Sequence, residues 1–380
     1  MQLPDYKGRS VVNLTSSIMH SFDVKNLYLE AKLLSSKELK SSKNVILLLI
    51  DALGYEYLMK YFKNSYYTKN MRGKITSVFP STTATVTSSF YTGLAPQQHA
   101  ITGWNMFLKE INTEIMFLPF RTRLGKLDLK KTKFDWDDVL DIPLIDSKIK
   151  NYNFVVPSRI IGRNYINKDK NLYGFNTLKG MFSHLKKIVK TSKKRTFIHA
   201  YWDTVDTLTH IHGNKSKIVK DHVKEIEIEL QKFVKSIEGT NTTLIIVSDH
   251  GQIDADKSKN LDFAKHPKLI EMLNAGVSGI GRVGYCYVKP SRVKDFEKYI
   301  KKHFSGLCEL HKSEDLIKKG YFGLFKPHKK LIDRIGDYTI IMKGQGVIEY
   351  PRFSKKKHFK ANHGGLSDEE MLIPLIVIKT

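Results

Sequence analysis

The sequence predicts an α/β fold: a three-layer α/β/α core around a mostly parallel sheet, carrying a small α+β insert. Three observations lead there. Four short, continuously apolar runs, NVILLLI (44–50), TFIHAYW (196–202), TLIIVSD (243–249) and MLIPLIVI (371–378), have the length of strands but no polar face. Strands of that kind are buried on both sides, as in parallel sheets sandwiched between helices. The runs alternate with stretches of helical period, at 177–190 and 216–237. In such sheets function gathers on loops at the carboxyl ends of the strands, and the residues just past these runs are acidic or imidazole: Asp51, Asp206, and Asp249 with His250.

Taken in order, the first run ends in LLLIDALG, which places Asp51 at a strand end. The stretch FPSTTATVTSSFYTG (79–93) crowds hydroxyls between a proline and a glycine and predicts a helix beginning after Pro80. Ser81 suits its cap, with Thr85, Thr87, Ser88 and Ser89 as packing or solvated positions along it. Residues 107–175 are rich in Phe, Tyr, Lys and Asp without a clean period and suit a lid over the sheet. After 196–202 comes WDTVDTLTHIHG, with Asp206 and His210 four apart on one helix face. Residues 263–335 change character: a helix near 267–274, a strand-like GRVGYCYVKP and a helix at 293–304 suggest a compact α+β insert, with the core resuming at DYTIIMKG. The predicted division is therefore a core of residues 1–262 and 336–380 and an inserted subdomain of 263–335.

Composition bounds the rest. A chain of 380 residues with 41% hydrophobic content can bury a large core and is neither disordered nor fibrous. The beginning, MQLPDYKGRSVVNLTSS, lacks a basic cap followed by an apolar stretch, and no apolar run approaches the roughly 20 residues of a membrane helix. These features suggest a cytoplasmic location. Two cysteines, Cys286 and Cys308, frame no disulfide scaffold and have no metal-ligand spacing. The excess of 63 Lys and Arg over 38 Asp and Glu gives a net charge of +25, which favours encounter with anions. The basic residues come as scattered runs, such as LKKTK and SKKKHFK, without a nucleic-acid motif. A generally basic surface and a phosphorylated small-molecule substrate fit better than a dedicated nucleic-acid face.

Each acidic or imidazole group by itself has an ordinary reading: an Asp after a strand caps helices, and His363 beside two glycines in KANHGGLSDEEM suits a turn. Together Asp51, Asp206, His210, Asp249, His250 and His363 supply carboxylate oxygens and imidazole nitrogens suited to zinc. Six such groups serve two metals better than one, and two metals about 3.5–4 Å apart hold the attacking and leaving oxygens of an in-line phosphoryl displacement.

With these residues in view, the chain resembles the alkaline phosphatase superfamily, and within it the type I phosphodiesterase / nucleotide pyrophosphatase branch. The resemblance rests on five motifs in order: LLLIDALG, FPSTTATVTSSFYTGLAPQQHAITGW, VDTLTHIHG, VSDHG and NHGGLSDEEMLIPL. It implies two zinc ions, or other divalent metals, one held by Asp51, Asp249, His250 and the nucleophile oxygen, the other by Asp206, His210 and His363. It implies a Ser or Thr nucleophile ten residues before the glycine of a TG pair, which here is Thr83, and an Asn gripping a phosphate oxygen, for which Asn105 stands one residue beyond the expected place. The implied reaction cleaves phosphodiester or pyrophosphate bonds of nucleotide-type substrates through a phosphothreonine. Where nucleotide-cleaving members follow the nucleophile with Phe, this chain has Ala84. Alternatives are a phosphomonoesterase or phosphonate hydrolase on the same site, and a basic nucleic-acid-binding protein with a structural metal.

Overall fold

A computed structural model describes residues 1–162, 171–350 and 359–380. Residues 163–170 of the expected lid, and 354–358 of the SKKKHFK run, lie outside the described residues. The core is a seven-stranded sheet in the order Met71–Thr76, Leu372–Lys379, Thr242–Val247, Asn44–Ile50, Thr196–Trp202, Tyr152–Pro157, Leu172–Phe175. The five strands from Thr242–Val247 to Leu172–Phe175 run parallel, while Leu372–Lys379 is antiparallel to both its neighbours.

Alternate side chains of the central strand show why its sequence has no polar positions. Val45, Leu47 and Leu49 join one core with the helices Val11–Ser21 and Thr83–Thr92. Ile46, Leu48 and Ile50 join another beneath the helices Leu178–Thr191 and Lys217–Ser236. Both faces are therefore dry, and the α/β/α layering results from burying them.

A second sheet of seven strands, antiparallel throughout, has the order Cys308–Lys312, Tyr338–Met342, Val283–Cys286, Ser278–Ile280, Asn105–Leu108, Thr113–Met116, Arg121–Thr122. The helix Val293–Phe304 covers it, burying Phe296, Ile300 and Phe304 against Cys286, Cys308 and Ile340. DYTIIMKG was expected to resume the core, but its strand, Tyr338–Met342, lies in this second sheet instead. Apolar alternation marks a strand without naming its partner, so only the long-range pairing fixes its place. The same sheet draws Asn105–Thr122 beside the segment that begins at 278; the domain division drawn from the sequence remains a proposal.

The hydroxyl-rich stretch differs in detail from its expectation. The helix begins at Thr83, with Thr82 at the N-cap position, and Ser81 is no cap: its Oγ donates to Gly365 O at 2.9 Å. The remaining hydroxyls are buried rather than solvated. They bond back into their own helix, Thr87 Oγ1 to Thr83 O at 2.6 Å and Ser88 Oγ to Ala84 O at 2.7 Å. Gly93 ends the helix at φ +73°, the left-handed position that glycine tolerates.

Candidate active site

The parallel sheet brings the carboxyl ends of its strands to one edge, and the predicted residues converge there. Asp51 follows Asn44–Ile50, and Asp249 and His250 follow Thr242–Val247. Asp206 and His210 lie on the helix Thr204–His212, which follows Thr196–Trp202. His363 comes from the glycine loop after the short strand Ala361–Asn362. The ligand atoms of Asp51, Asp249 and His250 form one group, all within 4.8 Å of one another, and those of Asp206, His210 and His363 form a second.

Each imidazole is oriented from behind. His250 Nδ1 faces Gly251 O at 3.0 Å, His210 Nδ1 faces Ala361 O at 2.7 Å, and His363 Nδ1 faces Ser81 O at 3.0 Å. A carbonyl oxygen only accepts, so each Nδ1 carries a proton, and in the neutral imidazole the Nε2 then keeps its lone pair. Those Nε2 atoms turn toward the carboxylates: His250 lies 3.4 Å from Asp249 Oδ2 and 3.6 Å from Asp51 Oδ1, and His210 lies 3.4 Å from Asp206 Oδ1. The rings of His250 and His363 stack at 3.7 Å and 11°.

The carboxylates are held by one oxygen and open at the other. Asp249 Oδ1 accepts from the backbone N–H of Ala52 at 3.1 Å and of His250 at 2.9 Å, while its Oδ2 is buried without a hydrogen-bond partner. Asp51 Oδ2 accepts from Tyr201 OH, and its Oδ1 is likewise without one. Gln252 Nε2 donates to Asp206 Oδ1 at 2.5 Å. Burial, reinforced by neighbouring carboxylates, holds Asp51 well above the usual carboxylate range, and burial pushes Asp206 up to about 6. Burial also depresses His250 to about 3 and drives His363 well below its ordinary value. Orphaned buried oxygens facing unprotonated Nε2 atoms are costly unless a cation joins them, and the donor set of carboxylate and imidazole fits a divalent metal of the zinc type.

Thr83 stands at the start of its helix, its Oγ1 3.3 Å from His250 Nε2 and 3.5 Å from Asp51 Oδ2. Those separations are long for hydrogen bonds and leave the hydroxyl at the edge of the first group. Thr82, one residue away, has its hydroxyl buried and without a hydrogen-bond partner. Thr83 opens into two cavities, and Trp104 and Asp206 line both with it. One, of about 490 Å³, also contains Asn105, His210 and His363. The other, of about 830 Å³, contains Asp51, Tyr201 and a set of basic side chains. Ala84 is fully buried in the core and lines neither. His99 is a buried core residue bonded to Ser89 Oγ at 3.0 Å.

Sequence reading missed Tyr201, Gln252, Trp104 and the basic wall. Tyr201 and Gln252 were open to finding, since one ends the run before Asp206 and the other stands two residues past the Asp-His pair. Trp104 and the basic side chains carry no local signal. The aromatics of 107–175 are mostly core: Phe117, Phe120, Trp136 and Phe154 are buried.

A parallel sheet whose strand ends gather two carboxylate and imidazole groups around a helix-start hydroxyl defines the class: a phosphoester hydrolase of the alkaline phosphatase superfamily. The sequence profile of the type I phosphodiesterase / nucleotide pyrophosphatase family matches residues 45–366, and the chain belongs to that family of phosphodiester and pyrophosphate hydrolases, whose members normally depend on metal. Among solved structures, murine ectonucleotide pyrophosphatase / phosphodiesterase 5 is similar at 16% identity and a TM-score of 0.65, covering 87% of each chain. The human protein of that name is similar at 15% identity and a TM-score of 0.65, covering 88% of this chain and 87% of that one. Phosphonoacetate hydrolase from Sinorhizobium meliloti 1021, in complex with phosphonoformate, gives 14% identity and a TM-score of 0.65, covering 89% of this chain and 90% of that one. No curated protein sequence matches the chain.

Proposed function

We propose that the protein hydrolyses a phosphodiester or pyrophosphate bond through a phosphothreonine at Thr83, with two zinc ions held by the two ligand groups at the strand ends. The observation that carries this reading is the paired arrangement itself. Three imidazoles, each with Nδ1 committed to a backbone carbonyl, aim Nε2 at carboxylates beside one hydroxyl. Asp51, Asp249 and His250 would hold one ion with Thr83, and Asp206, His210 and His363 the other. When bound, such ions supply Lewis acidity toward the phosphoryl oxygens and lower the pKa of a coordinated hydroxyl.

The chain's own residues do the rest. The start of the helix Thr83–Thr92 would turn the backbone N–H groups of Thr83 and Ala84 toward the phosphoryl oxygens, those of Thr85 and Val86 being bonded to Thr82 O. Asn105 lines the smaller cavity with Thr83 and would bind a non-bridging oxygen. Thr83 Oγ1 forms a bond to phosphorus as the bond to the leaving oxygen breaks, and water then cleaves the phosphothreonine and restores the hydroxyl. Tyr201 and Gln252 fix the orientation of Asp51 and Asp206.

The second reading, hydrolysis of a phosphonate or a monoester, is favoured by one observation: basic side chains, Arg121 among them, line the larger cavity together with Thr83. Rates on bis-p-nitrophenyl phosphate, a nucleoside p-nitrophenyl phosphate and p-nitrophenyl phosphate separate the two, and a clear preference for the last overturns the diesterase reading. Thr83→Ala should abolish turnover with metal content kept, whereas Thr82→Ala should retain activity; the reverse result would place the nucleophile at Thr82. Chelation should remove activity and added zinc restore it, and fewer than about two zinc per chain in active protein would count against the paired site.

A further inference from the structure

The larger cavity beside Thr83 has a wall on which basic side chains outnumber the acids that are not candidate metal ligands. Arg121, Lys126, Lys130 and Arg159 stand on its wall, against Asp128 and Asp203 once the candidate metal ligands Asp51 and Asp206 are set aside. The two acids are already engaged: Asp203 pairs with Arg159, and Asp128 Oδ1 accepts from the backbone N–H of Lys130 at 3.1 Å. Arg121 is different. It sits on the edge strand of the second sheet, its Nε buried and without a hydrogen-bond partner, and among the described residues no carboxylate pairs with its guanidinium. A guanidinium held with a buried donor unused, in a cavity shared with a nucleophile, is arranged to grip an anion.

The smaller cavity makes the contrast. Its walls include Trp104, Ile280, Val347, Ile348 and Phe359, and its Arg123 is occupied by Glu114 at 3.2 Å and by Val277 O at 2.8 Å. An apolar or aromatic arm suits that side, and a charged arm suits the other.

We propose that Arg121, with Lys126, forms a second anion subsite, so that the substrate carries a phosphate or carboxylate group besides the phosphorus attacked by Thr83. This rests on the hydrolase reading and names its substrate class: a compound with two anionic centres. Arg121 is the specificity determinant, since its fork matches two oxygens of either group.

Binding and turnover test it separately. In calorimetry on the zinc-loaded full chain, phosphonoacetate and methylenediphosphonate should bind at least about tenfold more tightly than methylphosphonate, as one added charge-assisted pair would give. Arg121→Gln should erase that preference while leaving methylphosphonate binding unchanged, and Arg121→Lys should restore part of it. Whichever of the two dianionic probes binds the more tightly identifies carboxylate or phosphate as the second group. A preference that survives in Arg121→Gln overturns the subsite, as does an equal loss for all three probes, which would mark Arg121 as structural. If the zinc-loaded wild type cleaves no phosphoester at all, the hydrolase reading fails, whereas the binding preference still decides the subsite.

Discussion

At Gly251 a single hydrogen atom is all the fold allows. A Cβ there would meet Glu369 O at 2.1 Å and Gly54 Cα at 3.0 Å, both backbone atoms that cannot swing aside. The carbonyl of the same residue orients His250 through Nδ1. Gly251→Ala should therefore displace the imidazole rather than merely crowd a surface, and kcat/KM should fall about 100-fold, the cost of misplacing a reacting group by about 1 Å. Steady-state kinetics on refolded, zinc-loaded protein measures this, and unchanged kinetics would show that the loop gives way. The motif VSDHG could be read as a strand end bearing ligands, but the crossing backbone of Glu369 comes from 118 positions later in the chain and is invisible locally. Thr83 is the converse case. Its position ten residues before Gly93 was readable, whereas Ser81 as its cap was not, because that hydroxyl is drawn away to Gly365 O by a contact 284 residues distant.

At the scale of elements, the His363 loop is tied to the second sheet by a buried ion pair. Arg282 Nε and Nη2 donate to Glu370 Oε1 at 3.0 Å and Oε2 at 3.1 Å, with Arg282 Nη1 on Gly346 O at 2.6 Å. Glu370 also accepts from the N–H of Gly365 at 2.7 Å and of Ser367 at 3.3 Å, closing the turn just past His363. Removing one partner leaves a buried charge alone, so Arg282→Met should cost about 3–5 kcal/mol in urea unfolding. Adding Glu370→Leu should recover most of that stability. It should not recover activity, since the turn loses its acceptor; full recovery of both would separate the ion pair from the site. The helices Leu178–Thr191 and Lys217–Ser236 lie within a residue of their sequence-derived bounds because an amphipathic period reports its own ends. The helix expected at 267–274 is present but shorter, Pro267–Glu271, since a few apolar residues define no period to mark its end.

For the whole molecule, stability should fall in mild acid through two histidines that belong to neither candidate ligand group. His99 and His199 are fully buried, and burial lowers each to about 3. An unfolded chain protonates histidine near the ordinary value of about 6.5. Between those values the unfolded state holds protons that the folded state does not. Stability is then fullest above about pH 6.5 and declines as pH falls toward 3, with a slope of roughly 1.4 kcal/mol per pH unit for each histidine. Urea melts at pH 7, 6 and 5 measure the slope, and His99→Gln should flatten it; an unchanged slope would show that His99 does not contribute. The charge of +25 is also a whole-molecule property. Its sign was plain from composition, but the gathering of Arg121, Lys126, Lys130 and Arg159 on one wall beside Thr83 was not.

The sequence by itself determined the layered α/β core and the candidate ligands, because continuously apolar strands must be buried on both faces and a parallel sheet then brings their carboxyl ends to one edge. Each candidate ligand sits a few residues from the end of its own strand or loop, so short-range order was enough to mark it. Tertiary structure alone decided which strands make the second sheet, which carbonyl turns each imidazole, and where the basic side chains collect. Several of those features join segments 100 or more residues apart, as Asn105 beside Gly279 and Ser81 beside His363. Pairing at that distance depends on register and packing across the whole chain, which no local pattern encodes.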